Sequence, residues 1–193
     1  KKEVIFHSRS RTKTVYFVYS GEVMLYNLTK HGNRKVIFIL GKGQLLNQSI
    51  VSKKPNALFC EAVCPVKVIE IAEEQFLQLM EQSHALTRAV LREYERNLWR
   101  MGHQLKNTTG NMQMERKIAA KLWKLGRDFG VDTEDGVMID IDLTITLMAD
   151  LVGAPRENVS RACKVLTDRG LIRYGNKRFI LTDSDGLAEF YKM

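Results

Sequence analysis

Hydrophobic positions form short runs over residues 1–72, and polar turn residues separate one run from the next. The runs cover residues 15–19, 23–26, 36–40 and 66–71 and are rich in β-branched and aromatic side chains, as is typical of β-strands. Many short strands at even spacing predict a sandwich or barrel. The first residues already have strand character, so we expect the chain to begin inside this domain, with earlier residues absent from the sequence.

From Glu73 onward the hydrophobic period changes to three or four residues, which indicates helices. A short helix fits residues 73–80 and a long one fits residues 83–106. The apolar stripe of the long helix is flanked by charges, which favours a coiled-coil seam between two subunits. Its members are Leu86, Val90, Tyr94, Leu98, Met101 and Leu105. The alternative is a helix packed on its own β domain.

A polar segment over residues 107–111 predicts the main domain boundary. We therefore divide the chain into an N-terminal β domain (1–82), a long helix (83–108) and a C-terminal domain (109–193). In the last part, a helix is expected over residues 112–129. A loop is expected over residues 132–136 and a short strand over residues 137–141.

Two short helical patterns meet at Gly153, which can adopt a positive φ at no steric cost and end the first of them. The first helix is predicted over residues 145–152, with Thr144 as its N-cap. Pro155 fits the start of the second helix, where no backbone hydrogen bond is lost. The pattern predicts a helix-turn-helix.

The second helix separates into two faces at about 100° per residue. One is apolar, with Val159, Ala162, Cys163 and Leu166. The other carries Glu157, Ser160, Arg161 and Lys164, with Arg156 at its leading edge. Base reading in a major groove uses such groups, because Arg is bidentate to guanine and Glu accepts from cytosine N4. The alternative is a solvated charged face on an ordinary helical hairpin.

A hairpin is predicted directly after the second helix, where two strand-like runs flank Gly175-Asn176-Lys177. A hairpin in that place forms the wing of a winged helix. Lys177 and Arg178 at its tip are candidates for contacts with the phosphate backbone.

The net charge of +8 is unevenly distributed. Residues 1–106 hold 17 Lys and Arg against 9 Asp and Glu, whereas residues 107–193 hold 13 of each. Residues 156–178, however, contain seven basic residues and two acidic ones, which indicates a local site for phosphate.

No apolar run is long enough for a membrane span and no secretory signal opens the chain. Three cysteines do not suggest a disulfide framework, so we expect a cytoplasmic protein.

This order of elements resembles the Crp/Fnr superfamily of bacterial transcription regulators. The similarity covers nearly the whole chain and is carried by residues 15–23, 41–44 and 115–119, and above all by residues 149–161. It implies an α+β fold: a cyclic-nucleotide-binding-like β jelly roll, a long dimerisation helix and a C-terminal winged helix-turn-helix. It also implies a homodimer that binds palindromic sites in double-stranded DNA and contacts RNA polymerase.

By position in the family motif, Arg156, Glu157 and Arg161 are the base-reading residues. Asn158 stands where the family has Thr. Ser160 matches the Fnr-like branch and Arg156 the Crp-like branch, so TGTGA-like and TTGAT-like half-sites both stay open. The expected DNA-binding set is Thr144, Arg156, Glu157, Asn158, Ser160, Arg161, Lys164, Lys177 and Arg178.

The phosphate cassette that holds a cyclic nucleotide in this family is altered at each polar anchor. Asn47-Gln48 stands where the cassette has Gly-Glu, and Asn56-Ala57 stands where it has Arg-Ser. On the long helix, Gly102 and His103 occupy the positions of the hydroxyls that contact the base, with Trp99 nearby. We therefore expect an effector other than cyclic AMP in this pocket, or none.

Other effectors receive little support from the sequence. An iron–sulfur cluster needs about four thiolates, and only Cys60, Cys64 and Cys163 are present. We interpret Cys60 and Cys64 as packing residues. Haem stays open, although its candidate ligands are individually typical of surface or capping histidines: His7, His31, His84 and His103.

The sequence gives little support to two further classes of function. In the first, a ligand-sensing module uses its winged helix for protein contacts, but the basic bias over residues 156–178 argues against it. In the second, the chain is an enzyme, but no nucleophile with its base, metal-ligand spacing or phosphate-binding glycine loop is found.

Overall fold

The computed structural model describes residues 3–108, with side chains through residue 104, and residues 112–192. Its contacts divide the chain into two compact units. The N-terminal unit contains Lys1–His31 and Val36–Lys106, and the C-terminal unit contains Gly32–Lys35 and Asn107–Met193. The predicted polar boundary falls partly on residues 109–111, which lie outside the described residues.

The N-terminal unit is built from short strands, as their alternating side chains predict. They are β1 (Val4–Phe6), β2 (Thr14–Ser20), β3 (Val23–Leu28), β4 (Arg34–Leu40), β5 (Phe59–Ala62) and β6 (Lys67–Ala72). One antiparallel sheet has the order β1-β5-β3-β4, and β2 pairs with β6. Inward side chains such as Phe6, Val18, Val23, Leu25 and Leu40 form its core.

Two helices complete this unit: α1 (Glu73–Gln82) and α2 (His84–Thr108). A second core cluster joins α2 to the strands, because Val90 is buried there with Phe76 of α1 and Val15 of β2. Leu86 and Tyr94 pack against the same cluster. The assignment of Val90 to an intersubunit seam was therefore wrong. Leu86 and Tyr94 also pack on the chain's own β domain, which is the alternative that the sequence left open.

The C-terminal unit is a winged helix. Its elements are α3 (Met114–Phe129), β7 (Gly130–Thr133), β8 (Gly136–Ile139), α4 (Ile145–Val152), α5 (Arg156–Asp168), β9 (Ile172–Gly175), β10 (Arg178–Leu181) and α6 (Ser184–Lys192). The sheet order is β7-β8-β10-β9. The loop predicted over residues 132–136 was wrong in extent, because β7 pairs with β8 as far as Thr133 and Gly136.

Helix α3 lies at the centre of this unit and packs against both α5 and α6. Its buried residues Ile118, Ala119, Leu122 and Leu125 recur at helical spacing, which aligns them along one face. Within the described residues, no helix combines the length and the hydropathy that a bilayer crossing needs.

The burial of α5 predicts a large difference between two of its neighbouring positions. Leu166 is fully buried, so Leu166→Ala should lower the free energy of unfolding of this unit by about 2–5 kcal/mol. The measurement is a urea titration followed by Trp123 fluorescence in a Trp99→Phe background. Lys164→Ala, at an exposed position of the same helix, should change that free energy by less than about 0.5 kcal/mol. Equal effects of the two substitutions would contradict this orientation of α5.

Candidate nucleic-acid interface and effector region

Local signals fix the turn between α4 and α5. The Thr144 hydroxyl accepts a hydrogen bond from the Leu147 N–H at 3.1 Å and so caps α4. Gly153 has a φ of 71°, and its N–H donates to the Ala149 carbonyl at 2.8 Å. Pro155 precedes the first helical residue of α5 with an extended backbone. The predicted cap and turn are confirmed, and they set the direction in which α5 leaves α4.

The apolar face of α5 is buried, as its period predicts. Val159, Ala162, Cys163 and Leu166 are at most 5% exposed. Because α3 and α4 pack on this side, α5 cannot rotate without exposing aliphatic surface. The opposite face is therefore held toward solvent.

The exposed face of α5 presents the groups predicted for base reading. Arg156, Glu157, Ser160 and Lys164 are all exposed. Arg161 is exposed as well, and its Nη2 donates to the Asn158 Oδ1 at 2.6 Å. This bond holds the guanidinium of Arg161 against a side chain of the same helix. The face thus offers two fork-shaped cations and one carboxylate, the set that reads guanine and cytosine edges.

The wing is a tight hairpin whose turn has left-handed backbone at both central residues. Asn176 and Lys177 have φ values of 50° and 61°, the conformation of a type I′ turn. The Lys177 carbonyl accepts from the Leu143 N–H at 2.8 Å, which ties the turn to the segment before α4. The Lys177 side chain is exposed at the tip.

Carboxylates of the β7–β8 region pair with the arginines of the wing. The Arg178 guanidinium pairs with Asp140, and Arg173 pairs with Asp135. The sequence pattern did not predict either pair. The excess of basic residues over residues 156–178 is therefore partly neutralised in the folded unit, and one terminal guanidinium nitrogen of Arg178 is engaged by Asp140.

In the effector region, Asn47 connects protein segments to one another. It is 5% exposed, its Oδ1 accepts from the Tyr16 N–H at 2.8 Å, and its Nδ2 donates to the Thr14 carbonyl at 2.9 Å. The same Nδ2 lies 3.4 Å from the Thr12 hydroxyl. Its hydrogen-bonding groups are thus bound to the backbone of β2 and to Thr12, two residues before that strand.

The neighbouring candidates are also used within the fold. Gln48 Nε2 donates to the Leu46 carbonyl at 2.8 Å. Asn56 is 4% exposed, and its Nδ2 lies 3.5 Å from the Ser10 hydroxyl. Ala57 has no polar side-chain group. Since a phosphate needs cationic or hydroxyl donors at these places, the residues present do not fit the phosphate of a cyclic nucleotide.

The side of α2 that faces the strands differs from the one expected. Trp99, Gly102 and His103 are exposed, and the Trp99 and His103 rings lie 3.9 Å apart between centroids. Arg100 is instead 7% exposed, with its guanidinium carbon 5.0 Å from the centre of the Phe38 ring. The same face carries two further polar residues, Asn97 and Gln104; Gln104 donates to the Ile37 carbonyl at 2.8 Å. Asn97, Arg100 and Gln104 are separated by three and four residues, so they share one face of a helix. This spacing was not recognised in the sequence.

Cysteines and histidines are placed in different surroundings. Burial raises the pKa of the Cys60 thiol to about 12 and that of Cys163 to about 11, so both stay protonated at neutral pH. Cys60 belongs to the core of the N-terminal unit, as its packing interpretation predicts. The Cys64 thiol donates to the Glu22 carboxylate at 2.9 Å.

The candidate haem ligands His7, His31, His84 and His103 are all exposed. Within the described residues, no three His, Cys, Asp or Glu side chains form a metal-binding group.

Comparison with protein families identifies both units. The family model described as the cyclic nucleotide-binding domain matches residues 1–83, and the one described as the Crp-like helix-turn-helix domain matches residues 116–190.

The chain is similar to curated bacterial regulators over most of its length. It is 25% identical over 175 residues to the CRP-like cAMP-activated global transcriptional regulator of Mycobacterium tuberculosis, which spans 90% of this chain and 78% of the relative. It is 23% identical over 192 residues to the global nitrogen regulator of Synechocystis sp., which spans 98% of this chain and 85% of the relative.

Solved structures share the fold. FixK2 from Bradyrhizobium japonicum matches with a TM-score of 0.83 and 21% identity, over 98% of this chain and 92% of that chain. A mutant of CooA from Carboxydothermus hydrogenoformans matches with a TM-score of 0.83 and 19% identity, over 99% of this chain and 84% of that chain.

The bonds of Asn47 predict a structural cost when its side chain is removed. Asn47→Ala leaves the Tyr16 N–H and the Thr14 carbonyl without partners, so the free energy of unfolding of the N-terminal unit should fall by about 2–4 kcal/mol. A urea titration followed by Trp99 fluorescence in a Trp123→Phe background measures this. Asn27 is exposed, and among the described residues its side chain bonds only the neighbouring Leu28 N–H, so Asn27→Ala should cost less than about 0.5 kcal/mol. If Asn47→Ala changes the free energy of unfolding only slightly, the Asn47 carboxamide is not needed for the fold and is again a candidate for binding an effector.

Proposed function

The chain belongs to the Crp/Fnr superfamily of transcription regulators, and we propose that it binds a palindromic DNA site as a homodimer through the two α5 helices. The observation that carries this proposal is the exposed face of α5. There Arg156, Glu157 and Arg161 stand free of the core that fixes the helix. The hydrogen bond that Arg161 donates to Asn158 orients the guanidinium before DNA binds, which lowers the entropy lost on binding.

The roles of the other interface residues follow from their positions. Ser160 and Lys164 lie on the exposed face of α5, and Lys177 lies at the tip of the wing. Their chemistry suits phosphate oxygens, which position the protein without reading sequence. Thr144 already accepts a backbone hydrogen bond, but its O–H remains able to donate to a phosphate.

Dimerisation is assigned to the outward side of α2. Large apolar side chains are exposed there: Leu91, Leu98, Trp99 and Met101. Leu91 and Leu98 are seven residues apart and Met101 follows Leu98 by three, which is the spacing of a coiled-coil seam. Leu91 was missed in the sequence pattern. Leu105 continues the register, although its side chain lies outside the described part.

The effector is proposed to differ from cyclic AMP, or to be absent. Support comes from Asn47 and Asn56, whose side chains bond other parts of the same unit. An effector would act by shifting the balance between two arrangements of the chain, and only differential affinity for the two can do so. We also propose a contact with RNA polymerase, which the family resemblance implies.

Binding through the winged helix to another protein is the remaining alternative. Its discriminating measurement is a gel shift over a range of salt concentrations. DNA binding through phosphates weakens steeply as salt rises. A complex with a protein that forms equally well without DNA would support the alternative.

Removal of the Arg161 guanidinium should affect specific binding selectively. Arg161→Ala is expected to weaken binding to a duplex selected from a random pool by about 1–3 kcal/mol, because a bidentate base contact is lost. Binding to unselected duplex should stay nearly unchanged. Fluorescence anisotropy with both duplexes measures the two affinities.

Lys164→Ala provides the control on the same exposed face. If Lys164 contacts phosphate, Lys164→Ala should weaken binding to both duplexes by a similar factor and reduce the salt slope by about 1. If Arg161→Ala behaves in the same way as Lys164→Ala, Arg161 contacts phosphate and does not read a base.

A charge placed in the proposed seam should dissociate the dimer. Leu98 is 70% exposed in the single chain, and Leu98→Glu would bury two unpaired carboxylates in a symmetric interface. We expect the dimer dissociation constant to rise at least about 100-fold, measured by sedimentation velocity.

Leu79→Glu is the matched control, since Leu79 is 46% exposed on α1. It should leave the dimer intact. A dimer that tolerates Leu98→Glu, or is equally sensitive to both substitutions, would place the subunit contact elsewhere.

A further inference from the structure

A group of exposed cations lies where two segments of the N-terminal unit are hydrogen-bonded to each other. The Arg9 N–H donates to the Asn56 carbonyl at 2.7 Å, and the Asn56 N–H donates to the Ser10 carbonyl at 2.9 Å. The Ser8 hydroxyl donates to the Ala57 carbonyl at 3.0 Å. The exposed cations of the two segments, here called the basic patch, are Arg9, Arg11, Lys13, Lys53 and Lys54.

The segments that carry the basic patch contain no acidic residue of their own, and Glu73 lies beside the Lys13 end, where the Glu73 N–H donates to the Lys13 carbonyl at 2.9 Å. Residues 4–21 and residues 41–60 contain neither Asp nor Glu. Within the described residues, the ion pairs involve other side chains. Arg9 and Lys53 also have left-handed backbone, with φ values of 64° and 52°. The patch is therefore a concentration of positive charge that an anionic partner can meet directly.

The charge balance of the whole chain points to the same surface. Residues 107–193 are neutral overall, with 13 basic and 13 acidic residues, and two arginines of the wing are paired with carboxylates. The net charge of +8 is contributed by residues 1–106. Long-range attraction of this chain to a polyanion therefore comes mainly from the part that does not contain α5.

We infer that the basic patch binds the phosphate backbone of double-stranded DNA, as a second and sequence-independent contact in addition to the α5 face. Residues 8–13 contain no apolar side chain, and residues 51–57 contain no aromatic one and expose Val51, whereas stable protein interfaces are enriched in aromatic anchors. Phosphate binding needs only exposed Lys and Arg, which release condensed counterions from the duplex. The surface chemistry thus fits DNA better than an acidic protein.

The test is the salt dependence of binding to a long random duplex, which is independent of base reading by α5. The variant Arg9→Gln, Arg11→Gln, Lys54→Gln removes three cations from the patch. Each lost phosphate contact lowers the slope of log K against log salt by about 0.9. We expect the slope to fall by more than about 1 in this triple variant, and affinity at low salt to fall at least about tenfold. A fall smaller than about 1 overturns the inference.

A matched triple variant separates the patch from total charge. Lys30→Gln, Lys42→Gln, Lys67→Gln removes the same charge from other exposed positions of the N-terminal unit, and should keep the slope within about 1 of the unaltered chain. If both triple variants lose the same slope, net charge and not the patch is responsible, and the inference fails.

A charge-retaining variant guards against damage to the fold. Arg9→Lys, Arg11→Lys, Lys54→Arg should bind as the unaltered chain does, and an equal loss in this variant overturns the inference in favour of a structural effect. If the Gln variant of the patch binds DNA normally but no longer supports transcription in a reconstituted reaction, the patch serves an acidic protein partner and the inference is overturned.

Discussion

Burial of the aliphatic edge of α5 is the constraint on which the candidate interface depends. Val159 and Leu166 are fully buried, and α3 fills the space behind them. Rotating α5 to hide its arginines would expose those side chains, at a cost of about 1.5–3 kcal/mol for each. The polar face is thus directed outward by the chemistry of the opposite face. The same packing explains why Thr144 and Gly153 matter: they fix where α5 begins, and its orientation then follows from the core.

Helix α2 meets a comparable constraint with a different outcome. Near its start, Val90 is anchored in the core of its own unit, so the face of the helix that carries Val90 cannot serve as a seam. Further along, Arg100 faces the strands while Leu98 faces solvent. A helix held on one side by its own domain and exposing leucines on the other is suited to carry a change in that domain to a second subunit. Such coupling requires two arrangements of the contact between α2 and the strands, since a rigid contact transmits nothing.

Sequence reasoning succeeded where the signal is local and failed where it depends on contacts distant in the chain. Helix α4 was predicted with its observed bounds because Thr144 and Gly153 directly flank its eight residues. Strand β7 was missed because Gly130–Thr133 is exposed throughout and shows no hydrophobic alternation. The pair between Arg178 and Asp140 spans 38 positions, and no pattern links them. The stripe of α2 was correctly periodic, but a period does not say whether a face meets its own domain or another chain.

The distribution of charge between the two halves has a consequence for specificity. Non-specific affinity for DNA rises with the number of phosphates that a protein neutralises, whereas discrimination comes from base contacts. In the proposed interface, Arg173 and Arg178 of the wing are held by Asp135 and Asp140 and would gain little from random phosphates, so a larger share of the binding energy would depend on the proposed base contacts of Arg156 and Arg161. Attraction to DNA can then be supplied by cations elsewhere in the chain, where they strengthen all complexes equally and leave the ratio between correct and incorrect sites unchanged. Separating attraction from reading in this way lets each be altered without loss of the other.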